Sequence, residues 1–407
     1  MVCIHHPFSI GDYRMLHKII GSIDQESFFN TYFEKKPLFQ RAASSLINMF
    51  TLADFDRYLI AGEGMLHNLV RITKDGVAIT IPTYHGQATT QREFVLEAFK
   101  SGATLKLEDL DNRHSDIAKI CKSLEDIFGG YVFAKPFLTG ANFPGLDTHF
   151  DTTEVFVVQL EGRKVWHVWD KVIDNPTLPL QQNFKDVDLG APSIEVILEP
   201  GDILYIPAGA PHSARCLDSH SLYMAIGLQP IKIFEVLEGY LRLMSEHIVE
   251  LRQNIYPFTE RDLLDKNTKL LLDRLKKVPF DVIKADFDIA YSATKHETCD
   301  RRLETLAASH AITESTKLRL RQGVDIQART GDGSISIYFS STISPGKPLV
   351  SRPSNVTLPD YCQGEIDYIC SRGLVCFTPS QLSGDLNLES KVLLCQELAN
   401  VGILILE

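Results

Sequence analysis

Residues 145–169 read GLDTHFDTTEVFVVQLEGRKVWHVW, and this stretch predicts the centre of the fold. His149 and Asp151 lie two positions apart, so in extended backbone both side chains point to the same side of the chain. One imidazole and one carboxylate then converge on a single point. They are two of the three ligands in the triad of two histidines and one carboxylate that binds Fe(II) in non-haem oxygenases.

The third ligand is predicted on a later strand that returns beside this one. Residues 201–212 read GDILYIPAGAPH, a short apolar strand followed by a turn rich in proline and glycine that presents His212. In a small β-barrel, paired strands can bring His212 opposite His149. Three protein ligands on one side of a metal leave the other side open to a co-substrate and O2.

A cation in the return strand after the Glu161-Gly162 turn indicates the chemistry of the co-substrate. In this strand Lys164, Trp166 and Val168 share one face. A lysine that faces into an apolar barrel is costly unless it is paired. A dicarboxylate such as 2-oxoglutarate would pair it.

The order of the predicted elements indicates an α+β fold. Helical patterns, of which residues 115–128 are an example, precede a cluster of strands that starts at Tyr131. This order is typical of a double-stranded β-helix, the cupin-type barrel, with helices packed on its outside.

These residues resemble the JmjC-like ribosomal oxygenases, a cupin-type family of Fe(II)- and 2-oxoglutarate-dependent hydroxylases of protein side chains. The N-terminal segment FEKKPL, at residues 33–38, also resembles that family. The resemblance implies that His149, Asp151 and His212 bind Fe(II) and that Lys164 binds the far carboxylate of 2-oxoglutarate. It further implies that O2 is used to hydroxylate a protein or peptide side chain, with succinate and CO2 as co-products.

Three domains are predicted: a JmjC-like cupin oxygenase domain at residues 1–230, a helical dimerisation domain at 231–299 and a winged-helix domain at 300–407. The apolar stripe from Ile231 to Tyr256 predicts one long helix. That helix packs against a partner or is covered by its own chain, and the resemblance favours the first arrangement, a homodimer. A pattern of helix, turn, helix and strand near the C-terminus agrees with the winged helix that the family carries there.

The composition of the whole chain limits its partners. A net charge of −11 speaks against a nucleic-acid partner and favours a substrate with basic residues. The sequence has no apolar run of transmembrane length and no signal-peptide pattern at its N-terminus, so we expect a cytoplasmic protein without a membrane partner. The eight scattered cysteines include no CxxC pair, which predicts reduced thiols and no structural zinc site.

Three positions depart from the family's pattern, and they leave the substrate open. Lys135 stands where the family tends to have Asn, Phe137 where it often has Tyr, and Gly227 where some members have a hydroxyl. A ribosomal protein is the substrate that the resemblance implies, and the precursor peptide of a natural product is the main rival. A methyl-lysine demethylase and a metal-binding scaffold without activity are the further alternatives.

Overall fold

The structure is a computed structural model that describes residues 14–41, 45–83, 90–141, 146–184, 187–256, 261–277, 301–321, 324, 326–339 and 354–407. The chain divides into two compact units, one that ends at Pro230 and one that includes Ile231–Glu407. Each is described here by itself.

Two antiparallel sheets build the first unit. The larger has eight strands in the order β1-β9-β6-β11-β5-β4-β2-β3, and the smaller has three in the order β10-β7-β8. The strands are β1 (Leu38–Gln40), β2 (Val70–Lys74), β3 (Val77–Ile79), β4 (Thr104–Leu107), β5 (Tyr131–Gly140), β6 (Glu154–Glu161), β7 (Lys164–Val168), β8 (Ile194–Leu198), β9 (Ile203–Ile206), β10 (His212–Cys216) and β11 (His220–Gln229).

Helices cover one face of the large sheet. They are α1 (Arg14–Ile20), α2 (Gln25–Ser27) with a π-turn at Phe28–Tyr32, α3 (Leu52–Ala61), α4 (Leu66–Leu69), α5 (Gln91–Lys100) and α6 (Ser115–Phe128). Their apolar residues form one core with the large sheet, and a second core joins the opposite face of that sheet to the small sheet. Strand β6 is buried along all but its last residue because both of its faces are covered. The predicted α+β class and cupin-type barrel are confirmed.

Local sequence signals account for several element ends. Thr51 and Asp54 form a reciprocal capping box at the start of α3. Gly129 ends α6 in the left-handed conformation, with φ of +71°, as its position after the helical stripe predicts. Asp75 and Gly76 both have positive φ, 51° and 77°, which suits the two-residue turn of the β2–β3 hairpin.

The turn at Glu161-Gly162 is present but does not make a hairpin. Strand β6 pairs with β9 and β11, whereas β7 pairs with β8 and β10 in the other sheet. Gly162 has φ of +65°, and a Cβ there would overlap the carbonyl of His220. The turn therefore carries the chain from one sheet to the other, so the expectation of a strand that returns along β6 was wrong.

The second unit begins with α7 (Ile233–His247), which is shorter than predicted. The helix ends because Ile248 is extended, with φ of −117° and ψ of 105°, and a 3-10 turn follows at Val249–Arg252. Val236, Tyr240, Met244 and Ile248 form a small core that Leu270 and Leu271 of α8 (Arg261–Leu275) partly cover. Part of the stripe is thus covered by its own chain, while Ile233 is 73% exposed.

The C-terminal part has its own apolar core. It contains α9 (Arg302–Ala308), α10 (Gln363–Arg372) and α11 (Leu388–Asn400), with strands β12 (Leu318–Leu320), β13 (Ile326–Gly331), β14 (Ser334–Phe339), β15 (Ser354–Pro359) and β16 (Leu404–Leu406). The predicted order of helix, turn, helix and strand is present, with a 3-10 turn at Pro379–Gln381 between α10 and α11. Within the described residues, no helix combines the length and apolar character needed to cross a bilayer.

Candidate active site

The structure brings His149, Asp151 and His212 together. One ligand atom from each lies within 4.8 Å of the others. The Nε2 atoms of His149 and His212 are each 3.7 Å from a different carboxylate oxygen of Asp151. Two imidazole nitrogens and one carboxylate therefore face a common point, and this donor set suits a divalent transition metal with open positions.

Backbone contacts hold the two histidines in place. His212 is the first residue of β10. His149 lies in the segment before β6 and forms an isolated antiparallel bridge with His212. Each ring also contacts a nearby backbone carbonyl through Nδ1: His149 that of Asp147 at 2.7 Å, and His212 that of Ala210 at 3.1 Å. With Nδ1–H donating to these carbonyls, Nε2 is left to bind the metal.

Burial favours the neutral form of His212. Burial in the barrel and the neighbouring His149 lower the pKa of His212 to about 4, although Asp151 acts in the opposite direction. A neutral imidazole is the form that ligates a metal. The His212 ring therefore needs no deprotonation at neutral pH before it can bind one.

A cavity of about 670 Å³ opens from the three ligands. The side chains that line it include Val155, Val157, Trp166, Ile206, Tyr223 and Ala225 from the barrel strands. Its volume lies in the range of ligand-binding sites, and its lining combines these side chains with a similar number of polar and charged ones.

Lys164 lies in the wall of this cavity and is 1% exposed. Its Nζ donates to Thr139 Oγ1 at 3.1 Å and lies 4.7 Å from the centre of the Tyr223 ring. No carboxylate among the described residues pairs with it, and burial lowers the pKa of Lys164 to about 8. The ring of Trp166 lies 6.0 Å from Nζ and 6.1 Å from the His212 ring, so the indole is close to both Lys164 and the candidate metal site. The predicted pattern of alternate faces is present, because Lys164, Trp166 and Val168 are the buried residues of β7.

Polar residues in the cavity wall and directly behind it were missed by the sequence reasoning. Thr139 links Lys164 to Thr104, whose hydroxyl lies 3.1 Å from that of Thr139. Tyr223 stacks on Phe137 at 4.9 Å with the rings parallel within 2°. Strand alternation could have placed Thr139 on the same face as Phe137, but the sequence carries no signal that this face meets Lys164.

The three departures from the family's pattern lie in different places. Phe137 lines the cavity, whereas Lys135 pairs with Glu108 at 2.7 Å. At Gly227 a Cβ would overlap the ring of Phe133, so that ring occupies the space a side chain would need. Tyr223 is a residue of the cavity wall that carries a hydroxyl.

Two other histidines lie outside the cavity wall. His167 is near Glu195 at 3.7 Å, and His220 is near Glu161 at 3.3 Å. Their partners are glutamates on neighbouring strands, so both histidines have structural contacts.

The family model for the JmjC domain matches residues 110–236. Among similar proteins, ribosomal oxygenase 1 of Danio rerio is 30% identical over 260 residues, which are 60% of this chain and 46% of the relative. Ribosomal oxygenase 1 of Homo sapiens is 32% identical over 261 residues, 62% of this chain and 40% of the relative. The "bifunctional lysine-specific demethylase and histidyl-hydroxylase NO66" of Dictyostelium discoideum is 29% identical over 61% of this chain and 51% of its own. The chain thus spans about half the length of these relatives, or less.

Solved structures of the Escherichia coli ribosomal oxygenase YcfD share the fold. One has a TM-score of 0.53 at 16% identity and covers 95% of this chain and 99% of YcfD. Another, in complex with cobalt and 2-oxoglutarate, has a TM-score of 0.52 at 17% identity with the same coverage. Residues 110–236 of this chain thus match the JmjC domain model, and the resemblance of the chain to the JmjC-like ribosomal oxygenases is confirmed.

Proposed function

We propose that this protein is an Fe(II)- and 2-oxoglutarate-dependent oxygenase that hydroxylates a side chain of a protein or peptide. One observation carries the proposal: a three-donor metal site and a buried lysine without a carboxylate partner among the described residues line one cavity. A metal site alone would fit many functions. The added need for an anion beside it narrows the class to enzymes that bind an acidic co-substrate.

The residues present fit both groups. His149, Asp151 and His212 would hold Fe(II), and Lys164 would pair with the far carboxylate of 2-oxoglutarate. Tyr223 lines the cavity beside Lys164 and is placed to support that carboxylate, while Thr139 accepts a hydrogen bond from the Lys164 amine and holds it in position. The relative crystallised with cobalt and 2-oxoglutarate supports this pair of ligands.

When bound with O2, the iron and co-substrate supply the oxidising chemistry that converts a C–H bond into C–OH, with succinate and CO2 as co-products. The protein's own residues position the reacting groups and shield them from water. The Nδ1 contacts orient the ligand rings, Lys164 orients the co-substrate, and the apolar wall of Val155, Val157 and Ile206 limits access of water.

A ribosomal protein is the substrate we propose first, because the relatives are named ribosomal oxygenases. A precursor peptide remains the rival, and the name of the Dictyostelium relative makes lysine demethylation the second candidate activity. We also propose a homodimer formed through residues 231–299, since Ile233 and Phe234 are 73% and 50% exposed at the start of α7, and a winged helix at 300–407.

The test is succinate formation from 2-oxoglutarate in air with added Fe(II) and ascorbate, with and without ribosomal-protein peptides. Wild type is compared with His149→Ala and with the matched control His220→Ala, which changes a histidine outside the cavity. Succinate that requires His149 but not His220 supports the oxygenase. Mass spectrometry of the peptide then separates addition of one oxygen atom from loss of a methyl group. Tight metal binding without turnover would favour the alternative of a metal-binding scaffold without enzymatic activity.

A further inference from the structure

A row of four side chains crosses the large sheet on its cavity side. Tyr223 of β11 is the cross-strand partner of Phe137 of β5. On its other side Phe137 faces Lys106 of β4, and Lys106 in turn faces Arg71 of β2. All four line the cavity. The row therefore leads from the ring next to Lys164 to an exposed arginine at the outer end of the cavity.

Two cations stand directly opposite each other in this row. Like charges at opposed positions of an antiparallel pair repel each other, so Arg71 and Lys106 are an unfavourable pair by themselves. Glu108 does not neutralise the Arg71–Lys106 pair, because its single negative charge is shared between Lys106 and Lys135, each at 2.7 Å. Arg71 donates to the carbonyl of His67 at 3.0 Å, and no carboxylate of the described part of the chain forms an ion pair with it.

Hydroxyl groups lie beside the two cations. Thr73 and Thr104 are cross-strand partners in the next row with the same orientation, and both line the cavity. An arginine, a lysine and two hydroxyls form a donor set that suits an anionic group, since the guanidinium can donate two parallel hydrogen bonds to one carboxylate.

We infer that the outer end of the cavity binds a carboxylate of the substrate, which makes the substrate a peptide with an acidic residue near the oxidised one. The inference rests on the proposed function and adds a substrate class to it. At this end, Arg71, Lys106 and Lys135 carry three positive charges. Glu108 and Asp147 carry two negative charges, so one further negative charge would balance the group. The net charge of −11 favours a basic substrate, but charges that line a cavity act at closer range than the rest of the surface.

Fluorescence anisotropy with labelled hexaglutamate and hexalysine tests the subsite. The protein is loaded with Mn(II) and 2-oxoglutarate without O2, and binding is measured at low salt. We expect hexaglutamate to bind about tenfold more tightly than hexalysine. The double variant Arg71→Gln, Lys106→Gln should lose that preference. The control Arg163→Gln, which changes an exposed arginine paired with Asp218, should keep it.

Three results would overturn the inference: tighter binding of hexalysine, an unchanged preference in the double variant, or loss of the preference in Arg163→Gln. Displacement of hexaglutamate by inorganic phosphate at lower concentration than by acetate would replace the carboxylate with a phosphate group. The variant Arg71→Lys guards against misfolding, because it keeps the charge and should keep the preference for hexaglutamate. Succinate formation by the wild type reports separately on the oxygenase, so failure of one proposal is distinguishable from failure of the other.

Discussion

The backbones of His149 and His212 form a reciprocal pair, in which the amide of each donates to the carbonyl of the other at 3.2 and 2.8 Å. Two ligands that are distant in sequence are thereby held at a fixed separation, with ring centres 4.6 Å apart. The triad is therefore held by backbone hydrogen bonds and does not depend on side-chain packing alone.

Removal of either histidine of the candidate metal site should strongly weaken metal binding. His212→Ala keeps the backbone pair but deletes an Nε2 donor, so we expect affinity for Mn(II) to fall by at least about 100-fold, with no succinate formed. Calorimetric titration with Mn(II) measures this directly. His220→Ala is the control and should bind Mn(II) like wild type; equal affinity in His212→Ala would contradict the assignment.

Gly76 should matter for the metal although it is not a ligand. A Cβ at this position would overlap the carboxylate of Asp147, the residue whose carbonyl contacts His149 Nδ1. We expect Gly76→Ala to move Asp147 and lower metal affinity by roughly 10- to 100-fold, the usual cost of disturbing a group that orients a ligand.

Gly64→Ala is the matched control for this substitution. Gly64 also has positive φ, +86°, but a Cβ added there would meet no other atom within 4 Å. Both variants should lose stability to backbone strain, whereas Gly76→Ala alone should lose metal affinity. An equal effect of the two on Mn(II) binding would show that strain, not displacement of Asp147, is the cause.

Lys164 should make the stability of the ligand-free protein depend on pH. Its pKa is about 8 in the folded chain and 10.5 as an ordinary value, so between these pH values the unfolded chain binds more protons. The free energy of unfolding should therefore rise with pH across this window, by at most about 3 kcal/mol. Below pH 8 the contribution of Lys164 should not change with pH. Urea unfolding of wild type and Lys164→Met measures the difference, and parallel pH profiles would refute the prediction.

The same residue should control co-substrate affinity. Lys164→Met removes the cation that we propose pairs with 2-oxoglutarate, so we expect the dissociation constant of 2-oxoglutarate to rise roughly 10- to 100-fold while Mn(II) affinity is kept. In wild type, 2-oxoglutarate should bind more weakly above pH 8, where the amine loses its proton. Quenching of tryptophan fluorescence, with Trp166 beside Lys164, follows both effects. Unchanged affinity in Lys164→Met would place the co-substrate elsewhere.

Tyr223 and Tyr205 should give opposite results when their hydroxyls are removed. Tyr223→Phe should weaken 2-oxoglutarate binding by about fivefold, the value of one hydrogen bond, with little change in stability. Tyr205→Phe should bind 2-oxoglutarate normally but lose about 1–3 kcal/mol of stability, because Glu154 and the amide of Glu34 are its hydrogen-bond partners away from the cavity. Urea unfolding and fluorescence titration of both variants separate the two roles, and a shared phenotype would contradict them.

The sequence alone predicted the residues that form the candidate metal site and the lysine beside them. His149 and Asp151 are two positions apart on extended backbone, and Lys164 alternates with Trp166 and Val168, so in each case a local property of the strand decides the direction of the side chain. Helix ends with a capping residue or a terminal glycine, such as Thr51 and Gly129, were predictable for the same reason. The end of α7 carried no such signal, and the prediction there was too long.

Tertiary structure decided which strands become neighbours, and this determined the rest of the site. The turn at Gly162 carries β7 into a different sheet from β6, which places Lys164 against Thr139 and Tyr223 of β5 and β11. Arg71 and Lys106 reach the same cavity because β4 pairs with both β2 and β5. Pairing of distant strands depends on burial and hydrogen bonding summed over the whole barrel, so strand pairing cannot be predicted from any short stretch of sequence.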